Sequence, residues 1–489
     1  MAKLWSMALA LFIGAGLWAV PAMAQSSDAD DVAKVTRGGG EGVDTSLGKK
    51  GLGVETDGFA LWMSTRVQFR LTYQTEVGNG PDGTNGRTFI NFRVRRAKTN
   101  FKGFIFDKDF QYNLLLNWTS GGNNIIEEAW FRWAIMQYIN VTAGQTKLQY
   151  NWEEAVSSGA QQFVERGYVN EKFNQDYAKG ITLDGKIGED VSWLKYWIGI
   201  YNGVLKGNTD FRNADWALRA DTFDNLTDGE MMINLRLETH PMGDVARSMN
   251  DMRSKEEMDK ILFAIGLGFN WFMSGFDAPD LRGDTATGSP ASGRFRTSQD
   301  TMSVVLDGHF RFYGLSVDIE FHMRHTEFHN RGRNRFNPQR DEPLNTALAA
   351  TGNLTDYGIS FLIAYFILPE QLNVGIRWDH FDADEVWANA GNQSRTRFMA
   401  VHPDANEIGL SVNYYIHGNN LKLTFDLLMV SQTLAFSANT ADSSGNRTLN
   451  GVYNSVPERH AFTTQGFHLN RGSDHNDLWI IRLQLQWIF

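Results

Sequence analysis

Apolar residues recur at every second position, segment after segment, from Phe59 to Phe489. Between Phe59 and Tyr73, the residues Phe59, Leu61, Met63, Val67, Phe69, Leu71 and Tyr73 alternate with Ser64, Arg66, Gln68, Arg70 and Thr72. Further on, Leu315, Val317, Ile319, Phe321 and Met323 alternate with Ser316, Asp318, Glu320, His322 and Arg324. The chain ends in the same way, with Ile481, Leu483, Leu485, Trp487 and Phe489 on one face. Successive side chains of a strand point to opposite faces, so each segment reads as a strand with one apolar and one polar face. Sixteen such segments begin near residues 59, 88, 110, 125, 139, 180, 190, 230, 260, 300, 315, 355, 372, 405, 420 and 476. Tight links near 106–109, 137–138, 188–190, 314, 368–371 and 417–420 alternate with long polar loops. Short turns at one end and long loops at the other are the layout of a transmembrane barrel. The expected fold is all-β: a transmembrane antiparallel β-barrel of about 16 strands with an in-folded constriction loop. A soluble sandwich of this size needs two cores and a linker, and no linker is seen. A β-helix needs a fixed short repeat, and none is seen.

A mean hydropathy of −0.35 does not oppose this reading. Alternation between lipid-facing and lumen-facing residues hides a barrel from hydropathy. Aromatics at segment ends, among them Tyr73, Phe110, Trp118, Trp378 and Trp487, suit interfacial girdles. One link breaks the short-turn rule: residues 241–258 read as a small polar helix.

The start of the chain has Lys3, an apolar run from Leu9 to Val20, and Ala22-Met23-Ala24 before Gln25. That is the three-part pattern of a cleaved secretory signal peptide. The expected organisation is a signal peptide at 1–24, a flexible periplasmic segment at 25–58, and the barrel at 59–489. The pattern suggests export in a bacterium, to the outer membrane. With no cysteine, neither a disulfide framework nor a thiolate metal site is available. No G-x-S-x-G or H-E-x-x-H motif is present. His322 and His325 have opposite strand parity and do not converge as metal ligands without a bend. The expectation is a protein that is not an enzyme, with no cofactor, no metal and no nucleic-acid partner.

The run from Ile90 to Trp118, with Arg95-Arg96, resembles the paired-arginine strand and turn of the phosphate-selective porin O and P family. The run from Ile139 to Tyr168 resembles its Gly-Gln-x-Lys strand end, Ser-Ser step and Phe-x-Glu-Arg segment. The runs 365–382 and 407–427 resemble its late hairpins, so the resemblance covers roughly Phe59 to Phe489. It implies a sixteen-stranded, trimeric porin with an arginine-rich wall that guides anions.

The residues allow a cruder test. With apolar faces outward, the inward basic residues are Arg66, Arg70, Arg93, Arg95, Arg132, Lys186, Lys195, Arg236, Arg311, Arg324, Arg377, Lys422 and Arg482. The inward acidic ones are Glu128, Asp184, Glu238, Asp307, Asp318, Glu320, Asp379 and Asp426. That is thirteen against eight, in a chain whose formal charge is −10. Arginine stays charged and binds phosphate through paired donors, and rings of Arg or Lys favour anions. Arg96 completes the arginine pair, but its parity points outward unless a bulge intervenes.

Loop 148–178 follows the fifth strand and is the expected constriction, with Lys147 its leading candidate. The loop lacks the dense lysine cluster expected of phosphate-specific members. Glu165 and Arg166 are expected to fix it in place. The candidate channel-lining or anion-binding set is Arg66, Arg70, Arg93, Arg95, Arg132, Lys147, Arg236, Arg324, Arg377 and Arg482. Arg331, Arg333, Arg335 and Arg340 suggest an anion-collecting funnel, a grip on lipid phosphates, or a solvated loop.

The expected function is passive diffusion of small hydrophilic solutes, with a preference for phosphate or similar anions. The alternatives are a general, carboxylate or sugar porin, and a barrel enzyme or adhesin. Expected partners are outer-membrane lipid and lipopolysaccharide, the barrel-assembly machinery, two further copies in a homotrimer, and small anions as permeants.

Overall fold

The alternating segments form the strands. The computed structural model describes residues 44–48, 51–77, 88–119, 125–188, 192–201, 231–273, 298–329, 353–382, 385–389, 395–399, 404–433 and 475–489. In chain order the first strands are β1 (Asp44–Gly48), β2 (Gly51–Glu55), β3 (Phe59–Val77), β4 (Thr88–Ile105), β5 (Asp107–Asn117), β6 (Ile126–Met136) and β7 (Ile139–Lys147). Next come β8 (Tyr177–Ile187), β9 (Ser192–Tyr201), β10 (Met231–His240), β11 (Leu262–Met273), β12 (Ser298–Phe312), β13 (Leu315–His329), β14 (Asn353–Leu368) and β15 (Leu372–Asp382). The last are β16 (Glu385–Asn389), β17 (Arg395–Met399), β18 (Asp404–His417), β19 (Leu421–Thr433) and β20 (His475–Ile488).

Sixteen of these, β3 to β15 and β18 to β20, pair antiparallel with their neighbours in turn, and β20 pairs with β3 to close the barrel. Each begins within three residues of its expected start. β16 and β17 form a separate hairpin in the connection after β15.

The outward row carries Phe69, Phe92, Phe131, Ile198, Leu267, Phe321, Trp378 and Leu485, all exposed. An apolar surface this large is untenable in water and marks the barrel as a lipid-embedded one. No described helix is long and apolar enough to cross a membrane. Among the described residues there are two helices, α1 (Trp152–Ala155) and α2 (Tyr168–Phe173), both short and inside the barrel.

The chain end is fixed by backbone bonds. Thr65 donates its N–H to the Phe489 carbonyl at 2.6 Å, and Phe489 donates to the Thr65 carbonyl at 3.0 Å. Trp487, paired with Val67, faces lipid. Replacing Trp487 and Phe489 with glutamine is expected to abolish membrane-integrated, heat-modifiable protein. A folded band of normal intensity would contradict this.

Two segments differ in detail from a plain reading of the sequence, and one of them needs correction. The segment expected to be a flexible lead-in holds β1 and β2, a hairpin whose second strand continues onto β3 through Leu52–Met63 and Glu55–Ala60. The expected helix at 241–258 is absent: the backbone there runs through turns and irregular structure. Pro241 supplies no N–H and Gly243 sits at φ +109°, outside helical space. Ser248 and Asn250 hydrogen-bond each other locally, which competes with helical bonding. The expected signal peptide and the basic loop holding Arg331, Arg333, Arg335 and Arg340 lie outside the described residues.

Candidate functional site: the barrel lumen

Loop 148–176 leaves β7 at the long-loop end, turns into the barrel and lies against the inner wall of β10 to β15, β18 to β20 and β3. Its apolar side chains Trp152, Val156, Phe163, Val169 and Phe173 are buried there. The wall is shaped to receive it. Any Cβ on Gly358 would strike Phe173 at 2.6 Å and Val169 at 2.8 Å, and one on Gly409 would strike Phe163 at 2.7 Å. Glycine in these strands leaves room for a close approach.

Wall side chains also bond the loop backbone. Asn234 donates to Gln149, Gln68 to Ser158, Gln486 to Gly159, Lys422 to Gln161 and Asn413 to Gln162, all at carbonyl oxygens. In the other direction, the N–H groups of Glu153, Val164 and Val169 donate to Glu320, Asp426 and Asp379. A buried loop must place its backbone polar groups somewhere, and here they go to the wall.

This docking divides the predicted basic residues into two sets. The first lies beneath the loop and is paired, and all of it is buried except Arg324, whose side chain is 15% exposed. Arg236 bonds Asp307 at 2.8 and 2.9 Å, Glu238, and the Tyr150 carbonyl at 2.7 Å. Arg377 pairs with Glu407 and bonds the Glu165 carbonyl at 3.1 Å. Arg482 holds Asp426 through two bonds, at 2.7 and 2.8 Å. Arg324 holds Asp356 at 2.7 Å and the Lys172 carbonyl at 2.8 Å. Arg70 is 2% exposed and pairs with Glu165. All five belong to the channel-lining set that the sequence suggests. Their donors instead neutralise wall carboxylates and hold the loop.

The second set faces the wall of β4 to β9, which the loop meets only along its margins, where Glu165 reaches β4 and Glu154 reaches Lys147. Arg93 is exposed, and the Arg95 side chain is 34% exposed. Arg132 bonds Asp184 at 2.6 and 2.7 Å with 26% of its side chain open. Lys186 and Lys195 are each 3.2 Å from Asp244. Lys147, at the foot of the loop, pairs with Glu154 at 2.8 Å. Arg66 lies between the sets and donates to Ser158 Oγ at 2.6 Å.

Two β-bulges change the inward row. In β4 the register steps from Gln68–Arg96 to Phe69–Val94, so Arg95 is the extra residue. A bulge inserts one unpaired residue and shifts parity beyond it. Arg96 therefore turns inward, the condition under which its parity reading fails. In β6 the step from Leu115–Glu128 to Leu116–Ile126 makes Glu127 the extra residue. Glu127 reaches Lys98 and, at 2.7 Å, accepts from Asn117. Neither Lys98 nor Glu127 was counted as inward from parity.

The first bulge builds the centre of the site. Arg95 and Arg96 each reach Glu165 at 2.6 Å, and Arg70 pairs with it as well. Burial would push the Glu165 carboxyl up, but Arg96, Arg95 and Arg70 outweigh it and hold it well below the usual range. Arg166, as expected, fixes the loop internally. It is 3.1 Å from Glu154 and donates to the carbonyls of Glu153, Glu154 and Val156.

The geometry defines the class of protein: a sixteen-stranded transmembrane barrel with a loop folded into its lumen and charged side chains on the wall left open. The sequence profile of the phosphate-selective porin O and P family matches residues 66–221. That stretch holds the arginine pair, both bulges and the in-folded loop. The late hairpins at 365–382 and 407–427 lie beyond the matched stretch. No curated protein matches the chain.

Solved structures similar to it include OmpT, an outer membrane protein of Vibrio cholerae, in a trimer form (8% identity, TM-score 0.45, 88% of this chain and 100% of that one). OprB of Pseudomonas putida is 11% identical, with a TM-score of 0.44, 88% of this chain covered and 94% of that one. The outer membrane channel DcaP of Acinetobacter baumannii is 8% identical, with a TM-score of 0.42, 88% of this chain covered and 98% of that one.

Proposed function

We propose that this chain is an outer-membrane porin through which small hydrophilic solutes diffuse passively, with a preference for phosphate and similar anions. The observation that carries the reading is the uncovered wall. Arg93, Arg95, Lys102, Arg132, Lys186 and Lys195 all keep some exposure there. The carboxylates on or beside that wall are Glu127, Glu128, Asp184, Asp244 and the loop's Glu165, which pairs with Arg95; of these Asp184 is buried. Arg93 and Lys102 have no ion pair among the described residues. Low-dielectric walls focus the field of such charges onto a narrow aqueous path, and rings of Arg or Lys select anions.

A second reading, a general diffusion porin, is favoured by the pairing of Arg132, Lys98 and Lys147 with carboxylates. Charge pairs across a lumen orient solutes without favouring one sign strongly. In either reading the protein is exported with its signal peptide removed, inserted by the barrel-assembly machinery, surrounded by lipid and lipopolysaccharide, and assembled as a homotrimer.

Purified protein added to a planar lipid bilayer tests the shared part of both readings. Stepwise, ohmic conductance increments are the expected result. A folded barrel that inserts but passes no ions would overturn it.

A further inference from the structure

Among the short-turn connections, residues 241–261 stand apart. The others are brief, such as 137–138 between β6 and β7 or 418–420 between β18 and β19. This one leaves β10 at the end of the barrel opposite the in-folded loop, and it too enters the lumen. Val245, Met249 and Met258 are 3–4% exposed, and Ser248, Asn250 and Asp251 are buried as well. A polar surface turn has no reason to bury such a mixture, so the segment is packed inside.

It packs against the loop. Met249 donates its N–H to the Ala160 carbonyl at 3.3 Å. The Asn250 amide donates to Gln162 Oε1 at 3.2 Å and to the Tyr415 hydroxyl at 2.6 Å, tying loop, segment and β18 together. Val245 and Met249 belong to the same apolar cluster as Trp152 and Val156. The Trp152 ring lies between the Arg247 guanidinium, 4.2 Å from its centroid, and His309, stacked at 4.0 Å. Arg247 is anchored in turn by Glu238, and a cation over tryptophan in a desolvated setting is a substantial contact.

The segment is also fixed to the barrel. Arg311 donates to the Ser248 carbonyl at 2.8 Å, Val245 N–H donates to His240 Nδ1 at 3.0 Å, and Tyr313 N–H donates to the Met258 carbonyl at 2.7 Å. Asp244 sits between Lys186 and Lys195, at 3.2 Å from each, on the wall that stays uncovered.

We propose that residues 241–261 form the second half of the constriction, a wedge from the short-turn side that braces the in-folded loop from below. It closes the lumen beneath the loop, so the remaining path runs along β4 to β9. There Asp244 is a specificity-determining residue at the exit, because it neutralises two of the lysines an anion meets. The pore role of the wedge rests on the channel reading above.

The chain has no cysteine, so a cysteine pair can be introduced without competition. Ala160→Cys with Met249→Cys places two thiols on backbones in hydrogen-bond contact, a separation a disulfide can bridge. Oxidation of the folded protein in membranes should give a mobility shift that a reductant reverses. A folded protein in which no such bond forms overturns the docked wedge. In bilayers, replacing 244–259 by a short turn should raise single-channel conductance several-fold, and Asp244→Asn should raise anion preference without changing pore size. If the shortened protein conducts like the parent, the pore role is wrong. If the parent folds and cross-links but passes no current, the channel reading fails, and the pore role with it, while the docking stands. The Asp244→Asn and cysteine variants keep the test open if the shortened chain does not fold.

Discussion

Replacing Glu165 with glutamine is expected to free the in-folded loop and give a wider, noisier channel in a barrel that still folds. Glu165 accepts from Arg70, Arg95 and Arg96 together. Arg70 and Arg96 are nearly sealed, at 2% and 8% exposure. Removing one partner of a buried ion pair costs about 3–5 kcal/mol, because the other charge is left uncompensated. The loop has a way to relieve that cost, by lifting so that water reaches the arginines. The barrel does not depend on the clamp, since sixteen strands close on themselves through β20 and β3. Single-channel recording checks the result: larger mean conductance with flickering, against the steady level of the parent.

The same clamp sets an acid response. Glu165 is held below its ordinary value, so its contribution is fully present above that value and is lost only as pH falls through the depressed one. Between neutrality and about pH 4, where an ordinary glutamate is already half protonated, any change in conductance should therefore come from other loop carboxyls such as Asp176, which burial pushes up to about 6, and be shared by the Glu165→Gln variant. An opening transition near pH 4 that the Glu165→Gln variant lacks would show that Glu165 is not clamped.

The second large effect concerns selectivity. Arg93 and Lys102 lie on the uncovered face of β4 with no ion pair among the described residues. Arg93→Glu combined with Lys102→Glu changes the charge of the path without breaking any bond that holds the loop. The double variant should reverse the ion preference measured in a salt gradient, while its heat-modifiable mobility stays normal. Lumen substitutions tune selectivity, whereas charges on the lipid face destabilise a barrel by about 2–4 kcal/mol. By contrast, Arg236→Gln leaves Asp307 and Glu238 buried without their shared cation, so it should lower folded yield rather than shift selectivity.

Much of this was legible in the sequence, because period-two alternation is a direct consequence of strand geometry. Phe69 and Leu485 face lipid for the reason their parity gives. The in-folded loop was legible from its length and its place after β7. Parity failed where the chain departs from strict alternation. The bulges at Arg95 and Glu127 each add one residue, which no count of apolar positions reveals, and so strict parity points Arg96 outward and leaves out Lys98 and Glu127. Pairing failed for a different reason. Arg236 and Asp307 lie far apart in sequence and meet through β10, β11 and β12, so a tally of inward charges cannot tell that they cancel. The composition of the segment after β10 suggests a helix that the structure does not contain. Its burial against Trp152 is a tertiary fact with no local signal.

The most direct test of the central claim is the reversal potential of the unmodified channel in a potassium chloride gradient, taken at low and at high salt. The account predicts an anion-selective sign at low salt. It also predicts that the preference fades as the screening length falls from about 30 Å at 0.01 M to about 3 Å at 1 M. A reversal potential near zero at every concentration, or one of cation-selective sign, would contradict it.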